Sequence, residues 1–377
     1  MKSSKMNGLY RLVSFLLIAV LLFCTVGFAT GGWQSEADMT PDSGENGDTT
    51  NNTDENQDGD TDQTINQDNN NSTDAPENNP PQIIYTSKIT GLEITEEEMR
   101  RIPIGYVFDS SSSIYGLSSS ELTIEFPIED GSSRLLAYTT CRSLWKIGAL
   151  AATRNFISNS SNFFGGVVVS YGKDDFVVYS PWETSKIEVD LSIYSSCYYI
   201  ENRLYVYTNQ SKVDQAIEYN ASLSGSTYKD APYDFTSEGE TAYGTTTAST
   251  VIIPYSFDNE TELYYSPGTN KYIYFKSGER KVDMLNGSNI SYTNVFVLFA
   301  DTTTYEKADG CELVFDTVGG GRGYYISYGY KTEINWCSDP EGNLSFTTLD
   351  GKRLVVNRGN VYISYYKSSV SDEVTFD

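Results

Sequence analysis

An α+β domain followed by an all-β domain of sandwich or barrel type, behind a disordered N-terminal stalk, is the fold class this sequence predicts. Three observations predict it. Residues 31–82 hold 13 acids and no Lys or Arg, a composition that buries too little apolar surface to offset chain entropy. Between Ile83 and Asn220 apolar residues recur with both period 2 and helical spacing, and from Ser249 to the end short strand-like runs follow one another, broken by Gly, Asn and Asp. The expected boundaries are 1–30, 31–82, 83–247 and 248–377.

The first 30 residues carry Lys2, Lys5 and Arg11 and no acid, and Leu12 to Ala29 is uncharged. This is the layout of a secretory signal. Cys24 is the candidate lipid-attachment residue, although Phe23 fits poorly before a lipoprotein cut. Cleavage after Ala29 and an uncleaved anchor of 18 uncharged residues are the alternatives. All three place the rest of the chain outside, and the expected location is a tether on the outer face of the cytoplasmic membrane, at a Gram-positive-type cell surface. The stalk, if flexible, spans about 40 Å. Within it Asp54, Asn56, Asp58, Gly59 and Asp60 match the front of a calcium loop, but Ile65 stands where a bidentate Glu belongs, so the spacing reads as low complexity.

In the first domain, Ile104 to Asp109 reads as a strand. Glu121 to Glu129 alternates strictly, with Leu122, Ile124, Phe126 and Ile128 on one face and Thr123, Glu125, Pro127 and Glu129 on the other. Asp130-Gly131 then predicts a two-residue turn into a return strand, Arg134 to Thr140. Ala149 to Asn159 has helical spacing, and Val167 to Val169 reads as a central buried strand. Strands follow at Phe176 to Tyr179, Cys197 to Ile200 and Leu204 to Tyr207, then a helix from Lys212 to Asn220. The polar stretch Ser224 to Thr247 reads as a linker or long loop.

The second domain is predicted to hold nine strands, among them Val251 to Tyr255, Tyr272 to Lys276, Val295 to Ala300, Tyr324 to Tyr330 and Val361 to Tyr366. Gly319 to Gly323 lacks the G-K-[ST] ending of a phosphate loop and reads as a hairpin turn. The 30 Tyr, including Tyr324, Tyr328, Tyr330 and Tyr362, suit half-exposed strands and would also serve as a stacking platform for wall sugars; the first reading is preferred. Cys141, Cys197, Cys311 and Cys337 allow three disulfide connectivities, with free thiols favoured in domains this large.

Pro103-Ile104, Gly116-Leu117-Ser118, Ile124-Glu125 through Glu129 to Gly131, Arg134-Leu135-Leu136-Ala137, Ile147-Gly148 and Arg154 come in an order that resembles the YerB-like lipoproteins of Gram-positive bacteria. Tyr207-Thr208, Gly278 with Asp283, Asn294-Val295, Ile334-Asn335-Trp336 and Asp350-Gly351-Lys352 with Gly359 extend the resemblance, which runs from Ile102 to Tyr366. It implies a lipid-anchored envelope protein with two domains of unknown function. Where family members carry two His, this chain has Ser170 and Lys281, and the first of two Arg at the helix start is Ala151.

The chain contains no His at all. Ser-His-Asp and Cys-His catalysis, H-E-x-x-H zinc sites and imidazole proton shuttles are therefore excluded. Of the net charge of −25, the first 30 residues contribute +3 and the stalk −13, leaving −15 from Ile83 onward, which argues against nucleic acid or anionic lipid as partner. No cofactor or metal motif is present. A candidate polar binding site is drawn from Glu125, Glu129, Arg134, Arg154 and Asp283. Across a two-residue turn Pro127 would oppose Arg134, giving Arg134 diagonal reach to Glu125 and Glu129. Those two carboxylates lie roughly 13 Å apart along one strand, too far for the pair a glycosidase needs. The preferred function is a non-catalytic envelope module binding wall glycan, peptide or another envelope protein; a carboxylate-dependent enzyme acting on wall polysaccharide or peptidoglycan is the alternative.

Overall fold

A computed structural model describes residues 83–173, 188–220, 228–307 and 310–377. The targeting segment with Cys24, the stalk, the expected strand Phe176 to Tyr179 and the start of the polar stretch at Ser224 lie outside the described residues.

Period-2 patterning builds the scaffold. Fourteen strands form one sheet, at whose middle Leu122–Pro127 pairs antiparallel with Ser133–Thr139 and parallel with Val361–Lys367. Val361–Lys367 in turn runs parallel to Asn294–Ala300, so residues from both halves of the chain share one hydrogen-bond ladder. Ile104–Asp109 extends the sheet on one side, with Val167–Ser170 parallel to it, and Gly319–Ser327 and Tyr330–Ser338 extend it on the other. Val167, Val168 and Val169 are all buried, as an apolar run in a sheet covered on both faces should be.

Each face has its own core. Leu122, Ile124 and Phe126 point to one, with Phe156 of the helix Asn155–Phe164, Phe296 and Trp336. Phe296 and Phe346 stack on each other there at 4.8 Å, and Tyr233 lies against both, ring centroids 5.9 and 6.2 Å away. The opposite face meets a six-stranded sheet built on Thr250–Ser256, Asn259–Ser266 and Lys271–Lys276; Leu135, Val251, Leu263 and Tyr274 fill that layer. The polar side of the alternating strand, Thr123 and Glu125, is thereby fully buried.

The fold class read from the sequence holds: helices occur in the first segment, and strands dominate from Thr250 on. Three elements differ. Ile147–Leu150 is a strand paired with Tyr205–Thr208, and the helix begins only at Asn155, because Ala149 and Leu150 are buried in the sheet and helical spacing over so short a run does not distinguish the two. Gly319 to Gly323 is strand, not turn. A Cβ at Gly321 would collide with the Phe299 carbonyl and the Trp336 indole, whose Nε1 donates to Phe299 O at 3.1 Å, so these glycines permit close approach between strands. Tyr228, Ala231 and Tyr233, in the stretch read as a linker, are buried, and Asp234–Phe235 pairs parallel with Val355–Val356. All four cysteines outside the targeting segment are free thiols.

Candidate functional site

The five candidate residues fall in four places, Glu129 and Arg154 sharing one. Glu125 is completely buried and accepts from Lys276 Nζ at 2.9 Å, Thr261 Oγ1 at 3.0 Å, Tyr274 Oη at 3.2 Å, and the Ser133 and Tyr362 hydroxyls. Burial pushes its carboxyl up, but Lys276 and those hydroxyls outweigh it and hold it below the ordinary carboxylate value. Burial pulls the Lys276 ammonium down; it also lies 4.3 Å from the Tyr255 ring centroid. Every hydrogen-bonding member of this polar network is buried.

Glu129 receives both terminal nitrogens of Arg154, at 2.8 and 2.9 Å, in a bidentate pair at the edge of the other core. Arg134 joins neither glutamate. Ile128 N donates to Ser132 O at 2.9 Å and Gly131 N to Ile128 O at 3.1 Å, closing a three-residue loop with Gly131 at φ 81°. Arg134 consequently opposes Phe126 instead of Pro127, and a one-residue change of register moves it to the face away from Glu125. Its charged neighbour is Asp109, at 3.8 Å. Asp283 is a clamp: its carboxylate accepts from Gly116 N (2.9 Å), Ser118 N (2.8 Å), Ser118 Oγ (2.6 Å) and Leu285 N (2.9 Å), tying its own loop to the segment before Leu122. Ser170 and Lys281, the two positions that depart from the family's His, hydrogen-bond Gly172 O and Glu279 respectively.

A cleft of about 880 Å³ lies elsewhere, at one end of the large sheet. Leu122–Pro127, Val361–Lys367 and Asn294–Ala300 run parallel, so the residues entering them, Glu121, Asn360 and Thr293, converge: Val361 N donates to Glu121 O at 2.9 Å and Thr293 N to Asn360 O at 3.2 Å. The loop Thr140–Ser143, the serines 118–120 and the turn carrying Thr269, Asn270 and Lys271 complete walls that are mostly hydroxyl and amide.

Glu121 accepts from Thr140 N at 3.0 Å, from Thr140 Oγ1 at 2.6 Å and from Ser87 Oγ at 3.2 Å. Burial pushes its carboxyl up, against the Thr140 and Ser87 hydrogen bonds. Lys271 has no carboxylate within ion-pair distance among the described residues, and burial lowers its ammonium.

Tyr328 lines the rim in a left-handed conformation, φ 53°, at the first position of the two-residue turn Tyr328-Gly329, where Gly329 has φ 81°. A bulky side chain there carries strain that surrounding structure must hold in place, a condition associated with functional surfaces. Tyr243, 66% exposed, packs edge-on against Tyr328 and Tyr330 at 6.4 and 5.6 Å. Tyr265 donates to Asn270 Oδ1 at 2.9 Å and lies against Gly329, so the aromatic group is continuous with the cleft wall. By contrast Tyr325, Tyr362, Tyr365 and Tyr366 belong to the core.

Sequence reasoning missed Glu121, Lys271 and Tyr243. The available signal was positional: Glu121 and Lys271 stand at strand starts and Tyr243 in a connecting segment, but which of these meet depends on pairings such as Val361 with Leu122, far apart in the chain.

A covered mixed sheet with a polar cleft at the common end of its parallel strands defines the class: a mostly β protein. Residues 251–363 match the family model described as "Protein of unknown function (DUF3048) C-terminal domain". The crystal structure of the YerB protein from Bacillus subtilis has the same fold, with a TM-score of 0.67 and 19% sequence identity, covering 78% of this chain and 99% of that one. No curated protein matches. The YerB-like resemblance read from the sequence is thus supported by the fold and by the DUF3048 domain in the second half.

Proposed function

We propose that this chain is an extracytoplasmic, membrane-tethered binding module that takes wall glycan in the cleft between Glu121, Lys271 and Tyr328. The observation that carries this reading is the continuity of a hydroxyl-rich cleft with an exposed tyrosine group. Sugars present hydroxyls for the first and apolar ring faces for the second. A secretory-type N-terminus and an acidic stalk suit presentation away from the membrane. With no His in the chain, and with Glu125 and Glu129 committed to Lys276 and Arg154, binding is preferred to catalysis.

The test is retention of the detergent-extracted full chain on purified wall, scored also for release of soluble fragments. Retention without release, weakened several-fold by Tyr243→Ala, is the expected result. A Tyr243→Ala protein retained as well as the parent would remove the aromatic rim from the reading. One observation favours the enzymatic alternative: Glu121 lines the cleft, and burial there pushes its carboxyl up, the direction a general acid needs. Fragments released by the parent and not by Glu121→Gln would establish it.

A further inference from the structure

We propose that the cleft's ligand carries an oxyanion, a carboxylate or a phosphate, that pairs with Lys271. The inference rests on the cleft being the binding site, and it comes from an imbalance among the charged groups lining it. Four basic residues, Arg101, Arg142, Lys271 and Arg358, line the cleft with three acids, Glu93, Glu98 and Glu121.

Most of these charges are already used. Arg358 donates to Thr236 O at 3.0 Å and Gly91 O at 3.2 Å, and Arg101 pairs with Glu97 at 2.7 Å. On the acidic side, Glu98 completes a capping box with Thr95, and Glu121 holds Thr140 and Ser87. Two cationic groups and the exposed Glu93 remain. Lys271 pairs with no carboxylate among the described residues, and the Nη1 of Arg142 is buried without a hydrogen-bond partner while its Nη2 donates to Ile102 O.

A half-buried ammonium with no counter-ion is costly, and an arriving anion would recover that cost. The rest of the molecule sharpens the contrast, since residues from Ile83 onward sum to −15, a balance that disfavours anions, whereas the cleft lining carries four basic residues against three acids. Lys271 also sits beside Asn270, itself at φ 53° in the turn that Tyr265 grips, so its backbone is fixed from both sides. Sugar hydroxyls and rings would thus be read by the cleft walls and the tyrosines, and the acidic substituent by Lys271.

Purified wall offers both anions, and chemical treatment separates them: hydrofluoric acid strips phosphate-bearing polymer, and carbodiimide with glycinamide amidates carboxylates. Lys271→Gln should lower retention of the full chain on untreated wall by roughly 10-fold, the scale of a charged hydrogen bond, with Lys271→Arg largely restoring it. On wall given the relevant treatment, parent and Lys271→Gln should bind equally weakly; which treatment does this identifies the anion.

If Lys271→Gln binds like the parent while Tyr328→Asn does not, the cleft stands and the oxyanion falls. Equal loss by Lys271→Gln on untreated wall and on wall given both treatments also overturns it. If neither variant changes retention, or the parent is not retained, the cleft reading falls and takes this inference with it.

Discussion

At the scale of the residue, the most demanding feature is Glu125 with Lys276, a charged pair whose side chains are 0% and 3% exposed. Removing one partner leaves the other charge buried and uncompensated, so Glu125→Gln should destabilise by about 3–5 kcal/mol in denaturant unfolding. The pH dependence has a defined sign. Glu125 is held below the ordinary carboxylate value, so its contribution is present above the unfolded-state pKa near 4.3 and lost as pH falls through the folded value. Lys276 is also lowered, so its own penalty builds as pH falls from the unfolded-state value near 10.4 to the folded one and is constant below it, leaving Glu125 to set the acid side. The parent should therefore lose stability on the acid side. In Glu125→Gln the acid limb should flatten and stability should climb toward alkaline pH, where the unpaired Lys276 loses its proton; an unchanged acid limb would show that another carboxylate controls acid unfolding.

At the scale of the element, the turn Tyr328-Gly329 separates stability from binding. Both positions have positive φ, where Asn is far better tolerated than Tyr. Tyr328→Asn should leave the fold intact and raise its stability by about 1 kcal/mol. The same change should weaken wall retention, because the ring on the cleft rim is gone. A variant both less stable and weaker in binding would point instead to a packing role for the ring.

Elements are also where the sequence was most legible. The strands at Ile104, Tyr272, Val295 and Val361 follow from alternation and turn chemistry and lie within a residue or two of their expected bounds. Misreadings arose where two local explanations compete. Asp130-Gly131 suits a two-residue turn and equally the end of a three-residue loop, and only the observed register distinguishes them. Glycines 319–323 look like a flexible loop until Trp336 and the Phe299 carbonyl are set against them.

At the scale of the whole molecule, the candidate site was illegible for a different reason. The cleft exists because three strands from distant parts of the chain run parallel, and parallel pairing leaves no local signature comparable to a hairpin turn. Alternation showed that Glu125 faces away from Leu122, but not that a second sheet would cover that face with Lys276.

The same pairing has a thermodynamic consequence. Val361–Lys367 is inserted between Asn294–Ala300 and Leu122–Pro127, so each half of the sheet loses its ladder to the junction, and the two halves lose their connection, if this strand leaves. Ile363, 1% exposed, should lose about 2–5 kcal/mol on change to Ala. Because the strand hydrogen-bonds to both neighbours, the loss should reach both halves at once. Native-state hydrogen exchange on Ile363→Ala should show the amides of Ser133–Thr139 and of Gly319–Ser327 losing protection by the same free energy. Loss confined to the second group would mean that the first segment holds its part of the sheet independently, and that the parallel junction aligns the cleft without coupling the stability of its two sides.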